Sequence, residues 1–66
     1  MQLILTIDQQ AELQILANRH YVTDKKPPGP WRIKMFLDRQ FGIEYNHFHK
    51  TITGTDEAVA WLLLHL

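Results

Sequence analysis

A chain of 66 residues with no cysteine and no serine must rest on one small apolar core, without disulfides or thiolate-bound metal, and it lacks the commonest hydroxyl nucleophile. Ordering it costs on the order of 100 kcal/mol, at about 1.5 kcal/mol per residue, so apolar burial has to be efficient. Seven basic residues balance seven acidic ones, leaving no net charge and excluding a uniformly basic or acidic protein.

The charges are nonetheless unevenly spread. Arg19, Lys25, Lys26, Arg32, Lys34 and Arg39 crowd the middle of the chain, while Asp8, Glu12, Glu44, Asp56 and Glu57 lie toward its ends. That polarity can steer an anionic partner. One domain, 1–66, is expected in an intracellular setting, cytoplasmic by default. The apolar start, 1–7, lacks the basic region and cleavage site of a signal peptide, and the apolar run 58–66 is too short to span a bilayer.

Residues 2–7, rich in Leu and Ile, predict a short strand. Thr6-Ile7-Asp8-Gln9 fits a capping box and places a helix start at Thr6 or just after it. Leu13, Leu16, Ala17 and His20 then recur at the spacing of one buried helical stripe, and the helix should end near Tyr21. His20 reads as a core or boundary histidine. Residues 22–30 form a loop, stiffened by Pro27, Pro28 and Pro30.

A second helix is predicted over about 30–41. Pro30 suits its first position, Gly29 its cap, and Gly42 the left-handed residue that ends it. Ile33, Phe36, Leu37 and Phe41 share its core face. Trp31 and Met35, flanked by Arg32 and Arg39, share another. The run 43–52 alternates, so at least its first half reads as a strand pairing with residues 3–5.

After a turn at 53–56, Thr55 caps a last helix, 56–65, that is apolar almost all round. The expected fold class is therefore α+β: three helices against a short two-stranded sheet, in the order β-α-α-β-α. A helix without a polar face has to be covered on several sides, and a second copy of the chain is the expected cover. Val59, Trp61, Leu62, Leu63 and Leu66 would form that homo-oligomer interface.

The candidate binding surface joins Trp31, Arg32, Met35 and Arg39 to Lys25 and Lys26 of the preceding loop. An indole offers a stacking face and guanidinium groups offer forks for phosphate or carboxylate. The plain alternative is that Trp31 seals the helix start against the core. His47 and His49 would share one strand face, where an H-x-H pair could hold a metal or do acid–base work if a third ligand joined it. No finger-like Cys/His framework accompanies them, so polar-tipped strand residues are the simpler reading, and neither a metal nor a cofactor is expected.

The segment 29–45, Gly-Pro-Trp-Arg-Ile-Lys-Met-Phe-Leu-Asp-Arg-Gln-Phe-Gly-Ile-Glu-Tyr, resembles the helix-turn-helix module near the N-terminus of some insertion-sequence transposases. There, Gly-Pro-Trp opens an amphipathic helix that closes on Phe-Gly-Val/Ile-x-Tyr. Leu5-Thr6-x-x-Gln9 is similar as well, so the likeness spans about two-thirds of the chain. The resemblance implies packing roles for Trp31, Ile33, Leu37, Phe41 and Tyr45, and a following helix that carries Arg or Lys into the major groove. Here residues 46–53 intervene, and the helix after them has neither Arg nor Lys.

The functional expectation is a non-enzymatic, homo-oligomeric binding module for an acidic protein surface or a phosphate-bearing ligand. A small inhibitor or sequestering protein, of the kind compact phage genomes encode, fits this economy. A DNA-binding regulator of helix-turn-helix type is the first alternative, and a histidine- or metal-dependent hydrolase the second.

Overall fold

The computed structural model describes residues 1–20 and 29–66. The element order is β1 (Gln2–Ile4), α1 (Ile7–His20), α2 (Gly29–Phe41), β2 (Glu44–Asn46), β3 (Thr51–Thr53) and α3 (Asp56–His65). The class is α+β, as the residue pattern predicts. The expected end of α1 near Tyr21, most of the expected 22–30 loop, and Lys25 and Lys26 lie outside the described residues.

The local signals act as their chemistry requires. Thr6 and Gln9 exchange hydrogen bonds, the Thr6 N–H donating to Gln9 Oε1 (2.9 Å) and the Gln9 N–H to Thr6 Oγ1 (3.1 Å), so two otherwise orphaned donors at the α1 start are satisfied. Gly42 sits at φ 66° and its N–H donates to Asp38 O (3.1 Å), which ends α2 and turns the chain toward β2. Thr55 accepts at Oγ1 from the Ala58 N–H (3.1 Å) and starts α3.

The sheet has three strands rather than two. Asn46 Oδ1 accepts from the backbone N–H groups of Phe48 (3.0 Å) and His49 (3.1 Å), which folds 47–50 into a turn. Lys50, at φ 55°, completes the reversal. The run 43–52 is therefore a hairpin: its first half is a strand as expected, β2, but the second arm, β3, and not that first half, is the one that pairs with β1. The strand order is β1-β3-β2, antiparallel throughout.

Register decides which side chains face the helices. Leu3, Ile52 and Tyr45 lie side by side across the three strands and point inward, whereas the adjoining row, Gln2, Thr53 and Glu44, is exposed on the outer face. The core gathers Leu13 and Ala17 of α1, Ile33 and Leu37 of α2, and Val59 and Leu62 of α3 onto Ile43, Tyr45 and Ile52. His20 is a boundary residue, edge-on to Phe36 with centroids 5.4 Å apart.

Helix α3 divides the expected interface set. Val59 and Leu62 are 0% exposed and belong to the subunit's own core, because three-residue spacing puts both on the stripe facing inward. They cannot contribute to a surface between copies. Leu66 is half-buried against the same core, while Trp61 (55%) and Leu63 (38%) remain exposed, as does Leu64 (80%), which was not expected. No helix among the described residues is long and apolar enough to cross a membrane.

Candidate functional site

With Ile33 and Leu37 fixing the buried side of α2, Trp31 and Lys34 are carried to the flank that runs along β2. Trp31 is 53% exposed, and the Lys34 ammonium stands 4.8 Å from the centre of its ring. Such a pair draws the cation to the negative face of the indole. The start of α2 is held in place from the other side. The Arg32 guanidinium donates to Asn18 Oδ1 (2.8 Å), and Gln14 Nε2 donates to the same oxygen (2.9 Å) and to Gly29 O (3.5 Å). These bonds tie the first turn of α2 to α1 and so orient Trp31.

Opposite Trp31 rises the β2–β3 hairpin. Between them lies a groove of about 710 Å³, walled by Pro30, Trp31 and Lys34 on one side and by His47 and Phe48 on the other. Its floor carries Glu44, Asn46, Thr53 and Gln2 from the outer face of the sheet. Phe48 is 92% exposed at the hairpin tip, which burial of apolar surface would not select.

The hairpin also sets a cation beside a ring, with Lys50 itself outside the groove lining. Lys50 Nζ lies 3.0 Å from His47 Nδ1. An ammonium can only donate, so Nδ1 accepts, and the proton of a neutral His47 ring resides on Nε2. Tyr45, His47 and Phe48 form a path of rings with centroids 6.3 and 6.1 Å apart. Burial of the Tyr45 phenol raises its pKa above the ordinary tyrosine value.

Of the six residues expected to bind a partner, the structure brings only part together. Trp31 lines the groove, Arg39 is exposed on α2, and Met35 is half-buried. Arg32 is turned toward α1 and Asn18, a correction to its expected place beside Trp31 on an open basic face. Lys34 takes that place. The hairpin contribution, Glu44, Asn46, His47 and Phe48, was not anticipated. A run of ten residues with an asparagine in its middle exceeds the usual strand of about five to six, and that length was the available signal.

His47 and His49 do not share a strand face, because both lie in the 47–50 turn. The spacing on which an H-x-H metal pair depends is therefore lost. Among the described residues, no three His, Asp or Glu side chains come together in a way that could hold a metal.

Neither family models, nor curated proteins, nor solved structures offer a match to this chain. Its function has to be read from the groove and from α3. On α3, His65 stacks on Trp61 at 6.0 Å with an 18° interplanar angle, and Phe41 of α2 meets the His65 ring at 6.0 Å. A second, shallower hollow of about 430 Å³ opens between Phe41 and Trp61.

Proposed function

We propose that the protein is a non-enzymatic binding module that engages an acidic or phosphate-bearing partner in the groove between α2 and the β2–β3 hairpin. The observation that carries the reading is Trp31, a large flat ring held half in solvent on the groove wall with an ammonium beside it. A flat ring beside a fixed cation suits a ligand with an apolar face and a negative group. Such a module acts by occupying its ligand, as an inhibitor or sequestering protein does.

The test is a low-salt titration of Trp31 fluorescence in a Trp61→Phe background, with ATP, tripolyphosphate and a hexaglutamate peptide as probes. At least one should give a saturable change that Lys34→Ala weakens. No response to any of the three nor to a single-stranded oligonucleotide would end the reading.

The same reading makes the protein a homodimer through α3. Trp61 and Leu64, one turn apart, form an exposed apolar strip on a helix whose opposite side is buried through Val59 and Leu62, with Leu63 on the flank, and a twofold axis would let the strip cover itself. Antiparallel pairing about that axis also sets the acidic first turn, Asp56 and Glu57, against His65 in the partner's last turn.

A further inference from the structure

We infer that the groove takes single-stranded nucleic acid, seating two consecutive nucleotides between its walls. The inference rests on the binding reading above and names its ligand. The groove offers a ring with an ammonium on α2, Trp31 with Lys34, and a second exposed ring at the His47–Phe48 tip; Lys50, outside the lining, stands beside that tip with its ammonium on His47 Nδ1. A strand whose bases are unstacked presents the complementary set, alternating a π face with a phosphate. Inorganic polyphosphate would leave both rings unused, and an acidic peptide has no flat face to offer them. A duplex keeps its base faces inside the stack, where neither Trp31 nor Phe48 can reach.

Glu44 adds a preference. A carboxylate on the groove floor repels phosphate but accepts hydrogen bonds from base amino groups, as carboxylates do from cytosine N4. Thymine has no amino group and offers only its single N3–H. The phosphates are therefore directed away from the floor, to Lys34 in the groove and to Lys50 beside it, and cytosine is favoured over thymine at the floor. Gln2 and Thr53, in register with Glu44 across the sheet, extend the floor with groups able to donate and accept.

The experiment measures binding of six-residue oligo(dC), oligo(dT) and a duplex to the full chain carrying Trp61→Phe, by quenching of Trp31. Oligo(dC) should bind more tightly than oligo(dT) by about 5- to 100-fold. With two phosphates neutralised on a single strand, log K should fall against log salt with a slope of about −1.4. Phe48→Ala should weaken binding by about 5- to 100-fold, and Trp31→Ala, followed by anisotropy of a labelled strand, should do the same. Glu44→Gln should abolish the preference for oligo(dC) without weakening oligo(dT). Circular dichroism of each variant confirms that it is folded.

If ATP, tripolyphosphate or hexaglutamate binds and neither oligonucleotide does, the single-strand inference falls while the binding reading stands. If nothing perturbs Trp31, both fall. Equal affinity for duplex, a much steeper salt slope, or binding that survives Trp31→Ala and Phe48→Ala together would place nucleic acid elsewhere on the surface and overturn the inference.

Discussion

One turn of α2 separates Lys34 from Trp31, and the lysine folds back so that its ammonium stands 4.8 Å from the indole centre. The pair is exposed on the flank of a helix whose other side is held by Ile33 and Leu37, so it contributes little to the fold. Exposed cation–π pairs are worth about 0.5–1 kcal/mol. Lys34→Ala should therefore cost no more than about 1 kcal/mol in urea unfolding while weakening ligand binding. A loss of several kcal/mol would mean that Lys34 is a structural residue and the groove a by-product of packing.

Lys50 separates fold from function in the opposite direction. Its φ of 55° lies in the left-handed region, which a residue with a Cβ adopts at a cost and glycine does not. Lys50→Gly should raise stability by about 1 kcal/mol, read as a higher urea midpoint, and at the same time remove the ammonium beside His47. Lys50→Ala removes the ammonium without the backbone relief. A more stable but weaker-binding glycine variant would show that the lysine is retained for its charge.

Much of the fold could be read directly from residue chemistry. Thr6 with Gln9, Thr55 with Ala58, and Gly42 each act within a few positions of themselves, so their hydrogen bonds are decided by local sequence. The stripes through Leu13 and Ala17 and through Ile33 and Leu37 follow from helical period alone. The hairpin was hidden because alternation continues through 47–50. The reversal depends on one side-chain oxygen, Asn46 Oδ1, competing with strand pairing for the Phe48 and His49 N–H groups.

The site was legible only as far as Trp31. Arg32 and Lys34 look alike in sequence, and which of them stands beside the indole is decided by Asn18, fourteen residues from Arg32 along the chain. The inward side of α3 was blurred for a related reason. An all-apolar helix does not declare its inward side, and the sheet and α2 select Val59 and Leu62.

Tyr45 gives the protein an alkaline limit. Burial favours the neutral phenol, so the folded-state pKa lies above the unfolded value of 10.0. The folded chain then binds the proton more tightly than the unfolded one. The associated stability is present below about pH 10 and is lost as pH rises through the folded pKa. Urea midpoints measured from pH 8 upward should fall for the wild-type chain at the alkaline end, with a smaller fall for Tyr45→Phe. Identical profiles would show that Tyr45 ionises without opposition from the fold.

The proposed dimer through the exposed strip of α3 is open to a direct test. Static light scattering should give twice the 7.8 kDa monomer mass, and Trp61→Asp or Leu64→Asp should return it to the monomer. Because both side chains lie outside the core, each variant should stay folded by circular dichroism. A monomer at high protein concentration in the wild type would leave α3 uncovered and end the dimer.

Amide chemical-shift mapping on addition of oligo(dC) tests the groove most directly. The largest changes should fall on the Trp31 indole N–H, on Lys34 and on residues 44–48, with the exposed face of α1 around Ala11 and Ile15 unmoved. Changes concentrated on α3, or none at saturating ligand, would contradict the account.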